Sequence, residues 1–174
     1  MDYFIADLHL GDEQIIHYEN RPFADAEVMS RAFIENWNAA VKPGDTVWVL
    51  GDMSIRNYDC GKVLSELMGL KKLVLGNHDG WQKPEEWRKS GFEEVYDLPV
   101  VYQGFWILSH EPMYLNANMP YANIFGHVHG NPSVKDCSPQ SFCVSAERIR
   151  YTPISFDSIR ENVQACRGSC LLNH

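Results

Sequence analysis

Short apolar runs that stop abruptly at a histidine or a carboxylate constrain this chain more than any other feature. Tyr3-Phe4-Ile5-Ala6 stops at Asp7-Leu8-His9, Thr46-Val47-Trp48-Val49-Leu50 stops at Gly51-Asp52, and Lys72-Leu73-Val74-Leu75 stops at Gly76-Asn77-His78-Asp79-Gly80. Further on, Ile107-Leu108-Ser109 leads into His110, and Ile124-Phe125-Gly126 into His127-Val128-His129. Runs of this length, rich in β-formers and bounded by Gly and Asp, read as short buried strands. Their polar residues then sit at the strands' C-terminal edges, where open α/β sheets place their ligands. An Asn-His-Asp stretch between glycines is ordinary turn chemistry when it occurs alone. Repetition at several strand ends is not.

Helical periodicity fills the gaps between the early runs. Val28, Met29, Ala32, Phe33, Trp37, Ala40 and Val41 recur at three- and four-residue steps and predict an amphipathic helix over residues 26–41, with Asp25 as its N-cap. Pro43-Gly44-Asp45 ends that helix. Residues 62–68 predict a second helix closed by Gly69, and residues 84–90 a third, with Pro84 in its first turn and Trp87 toward the core. After residue 93 the pattern turns β-rich, with strand-like runs at Val95-Tyr96, Val100-Val101-Tyr102, Phe105-Trp106-Ile107-Leu108, Ile124-Phe125 and Phe142-Cys143-Val144. A last strand over 151–154 and a closing helix over 156–165 complete an α/β chain of two sheet-and-helix halves packed in layers.

With 174 residues and 45% hydrophobic content, one domain spanning 1–174 can bury its own core. A formal net charge of -8 argues against a long nucleic acid or an anionic membrane surface as partner. A small phosphorylated substrate remains compatible, because bound cations invert the field inside a cleft. Cys60, Cys137, Cys143, Cys166 and Cys170 are odd in number and show no C-x-x-C spacing, which indicates neither a disulfide framework nor a zinc finger and fits reduced thiols in the cytoplasm. No basic leader precedes an apolar core at the N-terminus, and no apolar run reaches the ~20 residues of a membrane span. Homo-oligomerisation is left open.

The strand ends supply oxygen donors from Asp7, Asp52 and Asn77 and imidazoles from His9, His110, His127 and His129, with no thiolate among them. Burying unpartnered imidazoles at apolar strand ends would cost several kcal/mol. A shared metal centre supplies the partner. So many ligands exceed one ion's coordination and suit two ions with a bridging carboxylate, the mixed nitrogen and oxygen set fitting manganese, iron, zinc or nickel better than calcium or soft metals. Two ions about 3.5–4 Å apart form a hydrolytic device for phosphate esters.

Taken in order, Asp-x-His, Gly-Asp, Gly-Asn-His-Asp, a lone His and Gly-His-x-His resemble the motifs of the calcineurin-like metallophosphoesterases from residue 7 to residue 129. The segment from Asp7 to Ile16, with Asn20-Arg-Pro-Phe23 and Phe33-Ile-Glu-Asn-Trp-Asn38, further resembles a compact bacterial and phage branch. The resemblance implies a four-layer αββα sandwich of two mixed sheets, with the residues after 129 completing the second sheet and a dimetal site at the strand edges. It assigns Asp7, His9 and His129 to one ion and Asn77, His110 and His127 to the other, with Asp52 bridging. It also implies a phosphoesterase, diesters ahead of monoesters, in which a hydroxide shared by the ions attacks phosphorus. His78 then faces the substrate and assists the leaving group, and Asp79 is expected to orient its ring. Asp12 stands where this branch carries a histidine, which alters the expected substrate mouth. Arg56 sits at the offset of a phosphate-binding arginine in the family's protein phosphatases, but Ile55 and Asn57 break that pattern and favour a surface role. His17 and His174 fall outside every motif and are expected to face solvent. A second class of function, a protein-binding scaffold on the same fold without chemistry, would show itself by lost ligands. None is lost here.

Overall fold

The computed structural model describes residues 1–116 and 118–171, with side chains up to residue 168. Among the described residues ten strands, numbered in chain order, build two mixed sheets, and five helices pack against them. In the first, β1 (Asp2–Ile5), β2 (Thr46–Leu50), β3 (Leu70–Val74) and β4 (Glu94–Tyr96) run parallel, and β10 (Ile154–Ser155) pairs antiparallel with β1. Four helices connect these strands: α1 (Glu13–Tyr18), α2 (Ala26–Ala40), α3 (Cys60–Glu66) and α4 (Pro84–Ser90). The second sheet orders β5 (Val100–Tyr102), β6 (Trp106–Leu108), β7 (Ala122–Phe125), β9 (Ser141–Cys143) and β8 (Cys137–Ser138), with β6, β7 and β9 parallel.

Strand alternation explains why the layers stack. Val47 and Val49 of β2 join a core with Phe33, Trp37, Leu64 and Trp87 from the helices. Trp48 and Leu50, pointing the other way, join Trp106, Leu108, Ile124 and Phe142 of the second sheet. Burial on both faces is what makes Thr46–Leu50 read as a continuous apolar run. The last helix, α5 (Phe156–Leu171), adds Phe156, Ile159 and Val163 to the inter-sheet core and touches β1 and β10 of the first sheet and β8 and β9 of the second, so the two mixed sheets are flanked by helices, α1 to α4 on the first and α5 along both.

Several boundaries differ from the sequence expectation. Asp25 caps α2 by accepting from Val28 N at 2.7 Å, as expected, but Val28 itself stays exposed. The second predicted helix starts two residues earlier, at Cys60, because Asp59 caps it, and it ends at Glu66, where Leu67 turns extended. α1 has no counterpart in the sequence expectation: its six residues are too few to show a period, although Asp12 caps it through Gln14 N and Ile15 N. The predicted strand over 151–154 shrinks to Ile154–Ser155 because Arg150 and Tyr151 take φ of 54° and 56°. That strand completes the first sheet; only β8 and β9 of the later segments complete the second. α5 runs past residue 165 to Leu171. The Cys170 side chain and His174 lie outside the described residues.

Candidate metal centre

Parallel pairing of β1, β2 and β3 in one sheet and of β6 and β7 in the other sends every histidine-bearing loop to the same edge. The sheets are tied there by Ala6 N donating to Val144 O at 2.9 Å and Ala146 N to Ala6 O at 3.1 Å. The loops after β1 and β2 then run side by side, with Asp7 N, His9 N and Leu10 N each 3.0 Å from Gly51 O, Asp52 O and Met53 O. Close approach at this edge requires glycine. A Cβ on Gly76 would lie 2.3 Å from Asp52 Oδ1, and one on Gly126 2.3 Å from the Cβ of Ala6.

A continuing strand would put His127 and His129 on one face. Instead β7 ends at Phe125, and both residues take left-handed backbone conformations, φ 69° and 45°. Asp7, His9 and Asp52 do the same, at 61°, 50° and 55°. The consequence is divergence within each pair: the His127 ring lies 4.9 Å from that of His110, whereas the His129 ring lies 5.1 Å from that of His9.

All seven predicted ligands converge. Asp52 Oδ2 stands between the two histidine groups, 3.5 Å from His9 Nε2 and 3.4 Å from His110 Nε2. Asn77 Oδ1 is 2.8 Å from His110 Nε2 and 3.1 Å from His127 Nδ1. Asp7, His9 and His129 form one group whose ligand atoms lie within 4.8 Å of one another, and Asp7, Asp52 and His110 form another. His78 stands at the rim, exposed, with its ring 5.2 Å from His9's.

Three supports hold this cluster, and the sequence named none of them as such. Asp79, expected to orient His78, is fully buried: it accepts from Asp52 N at 2.7 Å, Gly76 N at 2.8 Å and Met53 N at 2.9 Å, which occupies both its oxygens. Burial and the neighbouring Asp52 charge push this carboxyl up, but three backbone donors aimed at its oxygens, with no donor of its own to give, favour the ionised form. Arg21, quoted only within Asn20-Arg-Pro-Phe23, is buried and donates to Asp7 O at 2.6 Å, Leu8 O at 2.9 Å and Glu147 Oε1. Glu147 accepts in turn from His129 Nδ1 at 3.1 Å, leaving Nε2 of that ring free for the centre. Glu19, His129 and Glu147 also approach one another, but Arg21 on Glu147 already supplies the positive charge there. The only sequence signal for Glu147 is an acid placed just after a buried apolar strand.

Charge and burial are in tension throughout. Burial pushes the Asp7 carboxyl up to about 6 and the His9 imidazole down to about 4. At Asp52 and His110 burial is overridden by their mutual hydrogen bond and charge, which lower the carboxyl and raise the imidazole. Such a pair titrates as a unit. His9 Nε2 is buried without a hydrogen-bond partner and points toward Asp52. An unpaired buried nitrogen beside two carboxylates is what a cation would relieve. The donors, all nitrogen and oxygen, fit divalent transition metals. His110 Nδ1 lies 2.9 Å from Leu50 O, and a hydrogen bond there turns Nε2 toward the centre. Asp12 serves as a helix cap, 3.9 Å from His9 Nδ1. Arg56 and His17 are exposed, and neither forms an ion pair among the described residues.

Two stacked mixed sheets with clustered histidine and carboxylate ligands at their shared edge define a metal-dependent phosphoesterase architecture. The family model described as calcineurin-like phosphoesterase matches residues 3–165, and the chain belongs to that family. It is 33% identical to "Uncharacterized protein MJ1445" of Methanocaldococcus jannaschii over 167 residues, covering 90% of this chain and 88% of that one. "Gene 66 protein" of Mycobacterium phage L5 is 35% identical over 83 residues, 45% of this chain and 39% of that one. Among solved structures, the protein of unknown function AQ665 from Aquifex aeolicus superposes with a TM-score of 0.71 at 27% identity, covering 92% of this chain and 98% of that one.

Proposed function

We propose that this chain is a hydrolase of phosphate esters that works with two divalent transition-metal ions, manganese first, and takes diesters ahead of monoesters. The observation that carries the reading is the convergence of four imidazoles and three oxygen donors around an Asp52 carboxylate lying 3.5 and 3.4 Å from nitrogens of two different histidines. Asp7, His9 and His129 would hold one ion, Asn77, His110 and His127 the other, and Asp52 would bridge them. When bound, the ions supply Lewis acidity toward the phosphoryl oxygens and a more acidic water. The chain's own residues do the rest. Glu147 and Leu50 O hold the Nδ1 protons of His129 and His110, so the opposite nitrogens face inward. His78, whose ring makes no hydrogen bond among the described residues, is free to face the departing alkoxide oxygen and assist it as a proton donor. Preference for diesters follows from the likeness to compact family members and is analogy. Free thiols at Cys60, Cys137, Cys143 and Cys166 support a reducing, cytoplasmic setting, and no helix among the described residues is long and apolar enough to cross a membrane.

The test is a panel of aryl and nucleotide mono- and diesters with added manganese, run on the wild type and on His78→Ala. Wild-type turnover is expected, with a loss of about 10²–10⁴-fold in the variant at unchanged metal content. No hydrolysis of any ester with manganese, iron, zinc or nickel would defeat the reading. Metal content falling together with activity would make His78 a ligand instead.

A further inference from the structure

Resting on the phosphoesterase reading, a second feature bears on what the ester carries. A cleft of about 340 Å³ opens beside the candidate centre and shares Asn77 and His110 with it. It lies where the chain crosses from the first sheet to the second, between the ends of β3 and β6 and the β4–β5 connection. Its walls are mostly apolar: Val74, Leu75, Leu98, Pro99, Pro112 and Met113. Asp97 and Glu111 are its only charged side chains apart from the histidine, and no lysine or arginine lines it. The wall after His110 is held in place: Ser109 Oγ donates to Glu111 O at 2.7 Å, Met113 N donates to Asn123 Oδ1 at 2.8 Å, and Asn123 Nδ2 reaches Ile107 O and Ser109 Oγ at 2.8 and 2.9 Å. Asn123 is fully buried, so this loop is fixed by the core and not by a ligand.

We propose that this cleft is the subsite for one organic substituent of the phosphate ester, and that it takes an uncharged apolar group of roughly one or two rings. Continuity with Asn77 and His110 places the phosphoryl group at the cleft's inner end. Aliphatic walls reward apolar area removed from water. The two carboxylates repel a further phosphate or carboxylate, so polyphosphates and nucleic-acid strands are poor occupants. Leu98 at 71% and Met113 at 42% exposure are large apolar side chains left open, ready to close on a ring.

Binding and turnover test this together. With manganese-loaded protein, calorimetry should give phenylphosphonate an affinity on the order of tenfold above methylphosphonate, and 4-phosphonobenzoate an affinity below phenylphosphonate. Leu98→Ala with Met113→Ala should bring the phenyl-to-methyl ratio close to one and lower kcat/KM for phenyl esters more than for methyl esters. Asp97→Lys with Glu111→Lys should reverse the preference between phenylphosphonate and 4-phosphonobenzoate. Both residues of the first pair are exposed in part, and an unchanged thermal midpoint would establish that the variant folds. Hydrolysis by the wild type together with a phenyl-to-methyl affinity ratio near one for the phosphonates, or an affinity ratio unmoved by Leu98→Ala with Met113→Ala, would overturn the subsite while leaving the phosphoesterase reading in place. Absence of both hydrolysis and phosphonate binding would overturn the two together.

Discussion

Substituting Asp79 by Asn separates a structural carboxylate from a catalytic one. Oδ2 accepts from Asp52 N at 2.7 Å and Gly76 N at 2.8 Å, and Oδ1 from Met53 N at 2.9 Å. An Asn side chain keeps one oxygen. Turned to satisfy Asp52 N and Gly76 N, it presents its NH₂ to the Met53 N–H, so one charge-assisted bond becomes a donor–donor contact and two others lose their ionic character. Hydrogen bonds to charged groups contribute about 1.5–3 kcal/mol, and a stranded buried donor costs about 1–3 kcal/mol, so the isosteric change should cost on the order of 3 kcal/mol. For a chain of this size that corresponds to roughly 6–12 °C in the unfolding midpoint, at about 2–4 °C per kcal/mol. The measurement is thermal or urea unfolding of the metal-free protein in chelator, with His78→Ala as the control, since an exposed rim residue should move stability by no more than about 0.5 kcal/mol. A metal-free midpoint equal to wild type in Asp79→Asn would refute the support role and return Asp79 to orienting the His78 ring.

Asp52→Ala should lose both metal ions where any single terminal-ligand variant retains one, as elemental analysis of reconstituted protein would register; retention of two ions would move the bridge elsewhere. Glu147→Gln should weaken metal binding by about 10–100-fold, because His129 loses the carboxylate that holds its Nδ1 proton; an unchanged affinity in a chelator competition titration would remove Glu147 from the support of the centre. Burial pushes the Cys60 thiol from 9.0 up to about 11. A raised folded-state value means the stabilisation is intact below pH 9 and is lost as pH climbs toward 11, by about 2–3 kcal/mol over that window. Cys60→Ala should remove that part of the alkaline loss; equal alkaline slopes in urea unfolding would contradict it.

Much of the candidate site could be read from the chain because its chemistry is local. Asp52 follows Leu50, Asn77 follows Leu75 and His127 follows Phe125 by a single intervening glycine, so a residue's type and its place after an apolar run travel together. The periodicity of α2 and the double-sided burial of β2 leave equally direct traces, because each extends over enough residues to show its period. What escaped was either too short to have a period or settled by partners far along the chain. α1 has six residues, and β8 has two polar-leaning ones. Arg21 meets Glu147 across 126 residues, Asp79 meets Asp52 across 27, and nothing in the identity of an arginine or an aspartate names its acceptor or donor. Sheet membership escaped for the same reason: β10 joins β1, and β4 joins β3, through pairings that apolar runs alone do not specify.

Left-handed backbone at Asp7, His9, Asp52, His127 and His129 links these observations. Each such residue, lacking glycine's freedom, costs roughly 1–2 kcal/mol, and glycine is no remedy because the side chain is the ligand. The cost must be offset locally. It falls on bonds between loops: His9 N to Asp52 O, Asp7 N to Gly51 O, and His127 N to the Asp7 carboxylate at 2.9 Å. Arg21 then fixes Asp7 O and Leu8 O from one side, while Asp79 fixes Asp52 N and Met53 N from the other. Beneath them Leu8, Leu10 and Met53 are fully buried, so the strained loops are anchored through alternate side chains in the core. The arrangement of these candidate ligands is therefore held by many bonds of the folded polypeptide at once. Weakening Arg21 or Asp79 should for that reason loosen several candidate ligands at once, whereas truncating one whose ring nitrogen bonds no loop, such as His9, should leave the loops where they are.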